Sequence, residues 1–175
     1  MLPFPRRARR EANVAQSNDG EMTRSGIIGC FAYGSNLDTQ QVRRRLGRVP
    51  LARVACLKGW RLAFNKGGDP VYANIVPAPG EEVWGVLYEC TAEELARMDR
   101  FEGVPSGHYR RVPVMVTAGG DEIRAEAYVA CEDRVVAEQS PPKAYAARIL
   151  NGAREHGLPD EYVRKLRHLC QGGAA

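Results

Sequence analysis

Two runs of alternating apolar and polar residues constrain the fold of this chain most. In HYRRVPVMVTA, residues 108–118, Val112, Val114 and Val116 occupy every second position. The segment IRAEAYVAC, residues 123–131, shows the same spacing with two alanines and a valine. A period of two is typical of β-strands that bury one face. The intervening GGDE favours a hairpin turn. These residues therefore predict an antiparallel pair of strands.

Further strands are predicted in the first half of the chain. The first covers residues 27–33, and the second runs from Ala52 to Asn65 with an interruption at Gly59. After the predicted loop NKGGDP, the runs VYANIVP and VWGVLYEC read as two strands with APGEE as the turn between them. Most of the sheet is therefore expected to be antiparallel.

Helices are predicted in DTQQVRRRLG, in TAEELARMDRFEG, and in a pair hinged at GLP near the end of the chain. Asp38 is expected to cap the first helix and Gly47 to end it. Arg43–Arg45, in its last turn, suit the negative end of the helix dipole. Thr91 and Glu94 predict a capping box for the second helix. The order of elements indicates an α+β fold with a largely antiparallel, strongly curved or barrel-like sheet.

Length and charge predict one domain and limit its partners. The 175 residues suit a single domain, which we place at residues 26–170, between a disordered basic leader (1–25) and a short tail (171–175). The leader, with five arginines against three acidic residues, carries half of the net charge of +4. The remaining net charge of +2 is spread over 150 residues, which is too dispersed for a nucleic-acid-binding surface. Binding through RRARR stays a minor alternative, and no apolar run is long enough to span a membrane.

Cysteine and histidine spacing predicts neither a metal site nor a disulfide framework. The five cysteines are scattered without a Cys-x-x-Cys pair, and the three histidines are far apart. A nucleophilic Cys30 with His108 as its base is disfavoured, because Cys30 lies in an apolar strand. The arginines of the leader are not followed by the apolar segment of a secretory signal, so we expect a cytoplasmic protein.

The segment FAYGSNL is the first candidate for a functional site. Gly34, Ser35 and Asn36 follow the first predicted strand. Gly34 would permit a positive φ or the close approach of a ligand, and successive backbone N–H groups here would bind an anion. Ser35 and Asn36 are equally suited to capping the next helix. The spacing of these residues alone does not distinguish ligand binding from helix capping.

A second candidate lies in MDRFEGV, at the end of a predicted helix. Asp99 and Glu102 are placed near the negative pole of that helix, which disfavours an ionised carboxylate. Such a carboxylate suits general acid–base catalysis at neutral pH, although an exposed glutamate before a glycine is the simpler interpretation. Tyr33, Tyr109 and Tyr145 lie at strand ends or a helix start, where their hydroxyl groups would bind a polar ligand or complete the core.

Together, FAYGSNL, EVWGVLY, DRFEGVPSGHY and SPPKAYAARILNGAREHGLPDEYVRKL resemble the γ-glutamylcyclotransferases, from about Gly29 to about Leu169. The last segment is most similar to the branch that acts on free γ-glutamyl amino acids. The resemblance implies a small mixed barrel-like sheet with flanking helices, commonly dimeric. It also implies a cofactor-free reaction in which the α-amine of a γ-glutamyl group attacks its own γ-carbonyl and releases 5-oxoproline and a free amino acid.

The resemblance also implies roles for individual residues. Glu102 matches the glutamate that moves protons, and Asp99 has no match and is expected at the surface. The segment NKGGDPVYANIV departs from the family pattern, which leaves the released amine undetermined. The alternatives are a cyclotransferase for γ-glutamyl amines or a γ-glutamyl-protected metabolite, and a catalytically silent module that binds a small ligand. The implied substrate-binding residues are the loop Tyr33, Gly34, Ser35 and Asn36, and the pocket tyrosines Tyr109 and Tyr145.

Overall fold

Five strands close into a barrel in the computed structural model, which describes residues 26–172. Their spatial order is β1, β3, β2, β4, β5, and β5 returns to β1. This last pairing is parallel, whereas the other neighbours are antiparallel. The predicted mixed, mostly antiparallel barrel is therefore confirmed, while the basic leader lies outside the described residues. The strands are β1 (Ile27–Ala32), β2 (Ala52–Lys66), β3 (Tyr72–Thr91), β4 (Tyr109–Ala118) and β5 (Asp121–Ala130).

Four α-helices flank the barrel within the described part of the chain. Asp38 caps α1 by accepting a hydrogen bond from the Gln41 amide at 2.9 Å, and Gly47 ends this helix with a φ of 85°. The predicted capping box of Thr91 and Glu94 begins α2. Among the described helices, none is both long and apolar enough to cross a membrane. The helices are α1 (Thr39–Leu46), α2 (Ala92–Phe101), α3 (Lys143–Glu155) and α4 (Asp160–Cys170), and short 3-10 turns cover Ser35–Leu37, Val104–Ser106 and Glu132–Arg134.

The segment APGEE does not form the predicted turn, because β3 runs through it without a break. The pairing of β2 with β3 passes from Lys58 opposite Glu82 to Trp60 opposite Pro77, so several residues of β3 face Gly59 alone. Such a bulge bends both strands without separating them. β2 is the long strand that was predicted, but it also continues through Gly59, where the pairing register shifts and the strand does not break. The prediction of two strands separated by APGEE was wrong. β2 also includes Lys66, one residue beyond its predicted end at Asn65.

Helix α3 lies directly against the turn that follows β1. A Cβ added to Gly152 in the middle of α3 would stand 2.4 Å from the carbonyl carbon and oxygen of Leu37 and 2.7 Å from the Asp38 nitrogen. Leu37 and Ile149 are fully buried nearby in the common core. Because backbone meets backbone here, α3 determines where the turn at residues 35–37 lies.

Candidate active site

The residues predicted for the site line one small cavity at the end of β1. The cavity has a volume of about 30 Å³, enough to hold a water molecule. A wider basin of about 490 Å³ adjoins it, and Ser35, Glu102, Tyr109 and Tyr145 line both spaces. A larger cavity of about 620 Å³ lies elsewhere, between β2 and the end of α4. The small cavity is lined by Phe31, Ala32, Tyr33, Gly34, Ser35, Asn36, Ala73, Glu102, Tyr109, Tyr128 and Tyr145.

The turn after β1 brings its backbone close to the cavity. Gly34 has a φ of −112°, so the positive φ considered from the sequence is not present. A Cβ added to Gly34 would lie 3.0 Å from the Cβ of Ala73 and 3.6 Å from the hydroxyl oxygen of Tyr145. The absence of a side chain therefore keeps this edge of the cavity open.

The first amides of this turn are free to bind a ligand. The turn is closed by hydrogen bonds from the Leu37 amide to the Gly34 carbonyl (3.0 Å) and from the Asp38 amide to the Ser35 carbonyl (3.1 Å). Within residues 26–172, the amides of Ser35 and Asn36 donate to no protein acceptor, as is usual at the start of a helical turn. Because Asp38 caps α1, the capping role considered for Ser35 and Asn36 is not observed.

Glu102 follows the last residue of α2 and is held by two donors. Its Oε1 accepts hydrogen bonds from Asn36 Nδ2 at 2.9 Å and from Arg45 Nη1 at 2.5 Å. The side chains of Glu102 and Arg45 are only 14% and 18% exposed. Glu102 and Arg45 therefore form an ion pair beside the cavity that is largely shielded from solvent. Glu102 lies at the helix end where the sequence predicts it, whereas Arg45 was predicted only to suit the dipole of its own helix.

Polar side chains of α1 fix the turn from the other side. Gln41 Nε2 donates to Ser35 Oγ at 2.8 Å and to Asn36 Oδ1 at 3.2 Å. Arg45 Nη1 also donates to Asn36 Oδ1 at 2.8 Å. Arg148 of α3 in turn donates a hydrogen bond from its Nη1 to Gln41 Oε1 at 2.8 Å. This network was not predicted, because its members lie on three separate elements.

The three predicted tyrosines are oriented by backbone carbonyl and amide groups. Tyr109 donates to the carbonyl of Ala73 at 2.6 Å, and Tyr145 accepts from the amide of the same residue at 3.2 Å. Tyr33 donates to the carbonyl of Tyr128. Burial raises the pKa of Tyr145 to about 12 and also raises the pKa of Tyr33 and Tyr109. These hydroxyl groups are therefore protonated at neutral pH and can position a ligand but not remove a proton from it.

Two other side chains considered from the sequence lie outside this cavity. Asp99, expected at the surface, is only 16% exposed, because it accepts a hydrogen bond from the Tyr128 hydroxyl (2.8 Å) and pairs with Arg111 (3.2 Å). Cys30 is buried, and its hydrogen bond with Cys90, together with burial, raises its pKa. Cys30 is therefore an inert core thiol. Within residues 26–172, no group of His, Cys, Asp and Glu side chains is arranged to hold a metal ion.

Known proteins are similar to this chain in sequence and in fold. A family model described as "Gamma-glutamyl cyclotransferase, AIG2-like" matches residues 30–147. The chain is 36% identical to the γ-glutamylcyclotransferases of Bos taurus, over 152 residues, and Homo sapiens, over 148 residues, with 79% of this chain and 77% of each relative covered. A solved structure of a γ-glutamyl cyclotransferase is 34% identical with a TM-score of 0.75, covering 81% of this chain and 86% of that one. This chain therefore belongs to the γ-glutamyl cyclotransferase, AIG2-like family.

Proposed function

We propose that this protein is a γ-glutamylcyclotransferase that converts a γ-glutamyl amino acid into 5-oxoproline and a free amino acid. The observation that carries the proposal is the meeting of one carboxylate, Glu102, with the free amides of Ser35 and Asn36 at a single cavity. Family membership gives the same reaction class independently. The reaction is a cyclisation within one substrate molecule and involves no change of oxidation state.

The proposed mechanism uses the chain's own groups. The α-nitrogen of the γ-glutamyl group forms a bond to the γ-carbonyl carbon, and the bond from that carbon to the leaving nitrogen breaks. Glu102 accepts the proton that the α-nitrogen loses and delivers it to the leaving amine. The amides of Ser35 and Asn36 donate to the γ-carbonyl oxygen as it gains negative charge. Ring closure needs only a bent substrate, which Tyr33, Tyr109 and Tyr145 help to shape.

The direct test is to incubate the protein with γ-glutamyl-alanine and measure both products by mass spectrometry. We expect 5-oxoproline and alanine in equal amounts. Glutamate and alanine would instead indicate hydrolysis, and the absence of any product would favour the silent binding module. A panel of γ-glutamyl amines and protected metabolites, assayed in the same way, distinguishes the related cyclotransferase activities by the amine that each releases.

The open edge at Gly34 provides a first prediction. Gly34→Ala places a methyl group beside Ala73 and Tyr145, where the substrate must approach the turn. Because misplacing a substrate by about 1 Å is costly, we expect kcat/KM for γ-glutamyl-alanine to fall roughly 10- to 100-fold. Circular dichroism and thermal unfolding check that the variant is still folded, because the added methyl group would stand only 3.0 Å from the Cβ of Ala73. Full activity of Gly34→Ala would show that the substrate does not contact this edge.

We also propose a cytoplasmic location, a homodimeric state and a place in glutathione metabolism. The cytoplasmic location is supported by the sequence that follows the arginines of the leader, which lacks the apolar segment of a secretory signal. The homodimeric state is supported by the family resemblance, and sedimentation analysis tests it. The place in glutathione metabolism follows from the substrate class, since glutathione itself carries a γ-glutamyl group. An assay with glutathione measures whether it is accepted.

A further inference from the structure

Lys66 is a buried cation at the edge of the basin beside Glu102. It is only 5% exposed at the end of β2 and lines the wider basin together with Glu102 and His108. Its Nζ lies 3.0 Å from Nδ1 of His108, 5.2 Å from the ring centre of Tyr72 and 5.7 Å from that of Tyr109. Lysine is almost never this buried unless its charge is paired.

Among the described residues, no carboxylate pairs with Lys66. His108 supplies no negative charge, and the proximity of Lys66 lowers the pKa of this imidazole, which keeps it neutral. Arg134 adds a second positive charge nearby, and Asp133 pairs with Arg134 at 3.5 Å. Burial and Arg134 lower the pKa of Lys66, whereas Glu102 raises it. A bound anion would relieve this excess of positive charge.

The other cations of the basin already have carboxylate partners. Arg45 pairs with Glu102 at 2.5 Å, and Arg148 pairs with Asp38 at 3.6 Å. Lys66 is therefore the basin cation left for a ligand within residues 26–172. It lies in the wider basin and not in the small cavity that the turn at Gly34 borders.

We propose that Lys66 binds the carboxylate of the amino acid that leaves the substrate. This inference rests on the proposed function. Glu102 lines both spaces, so the leaving nitrogen that it protonates lies where they meet, and the rest of the leaving group extends into the basin. Lys66 thereby selects γ-glutamyl amino acids over γ-glutamyl amines, which lack this carboxylate.

The test compares γ-glutamyl-alanine with γ-glutamyl-ethylamide, which lacks only the carboxylate of the alanine portion. We expect the wild-type protein to favour γ-glutamyl-alanine by about 10- to 100-fold in kcat/KM, the size of one charge-assisted hydrogen bond. In Lys66→Met, which preserves length and removes charge, this ratio should approach one. Lys58→Met provides the matched control, because Lys58 lies exposed on the same strand, and it should keep the wild-type ratio.

The outcomes of this test distinguish the role of Lys66 from the cyclotransferase function itself. General damage to the site lowers both rates and leaves the ratio unchanged, and an unchanged ratio in Lys66→Met would overturn the inference. Equal wild-type rates on the two substrates would also overturn it, without the need for any variant, while leaving the cyclotransferase function intact. If neither substrate yields 5-oxoproline, the proposed function itself is wrong.

Discussion

Glu102→Gln lowers kcat for the formation of 5-oxoproline from γ-glutamyl-alanine by about 10²- to 10⁴-fold, the usual contribution of a general acid–base residue. The amide oxygen of glutamine still accepts hydrogen bonds from Asn36 and Arg45, so the position of the side chain is preserved. What is lost is the ability to take a proton from the α-nitrogen and return it to the leaving amine. Steady-state kinetics, with circular dichroism as a check on folding, measure the effect.

Glu93→Gln is the matched control for this prediction. Glu93 belongs to the same helix, α2, but its side chain is 84% exposed and pairs only loosely with Arg97 at 3.8 Å. Its replacement should leave kcat and KM unchanged, because exposed pairs of this kind contribute little. If Glu102→Gln retained the activity of the control, another group would have to carry the protons.

Gly152→Ala is expected to disrupt the site from a distance, without touching the cavity. The added methyl group would overlap the backbone of Leu37 and Asp38, so either α3 or the turn must move. We expect the free energy of unfolding to decrease by about 1–3 kcal/mol, as for other overpacked sites. We also expect kcat/KM to fall by about 10²-fold, because the amides of Ser35 and Asn36 shift with the turn.

Ala147→Gly separates this effect from a general weakening of the helix. Ala147 lies on the exposed side of α3, and its replacement should cost about 1 kcal/mol through helix propensity alone. Urea denaturation and kinetic assays on both variants distinguish a displaced turn from a weakened helix. Equal activities in Gly152→Ala and Ala147→Gly would show that α3 does not position the turn.

The features of the fold that depend on neighbouring residues could be predicted from the sequence. The hairpin of β4 and β5, the Asp38 cap and the capping box of α2 follow from patterns only a few residues long. The unbroken course of β3 through APGEE could not be predicted in this way. A proline–glycine pair usually marks a turn, and only the pairing with β2 on both sides of Gly59 holds this segment in the sheet.

Only those residues of the candidate site that belong to short sequence motifs could be predicted. The resemblance supplied Glu102, the loop of residues 33–36 and the two pocket tyrosines, and the structure brings all of them to one cavity. The contact of Arg45 with Glu102 was not predicted, because Glu102 lies just after a different helix, far along the chain. Lys66 appeared as a loop residue, and nothing in NKGGDP indicates that its side chain is buried beside His108.

The parallel closure of the barrel has a consequence for the order of folding. Phe31 of β1 pairs with Ala127 of β5, roughly a hundred residues later, so this contact is among those with a high entropic cost of loop closure. During synthesis, β1 and the turn that follows it must wait for β5 to leave the ribosome before the barrel can close. The amides of Ser35 and Asn36 are thus made early but reach their final position late.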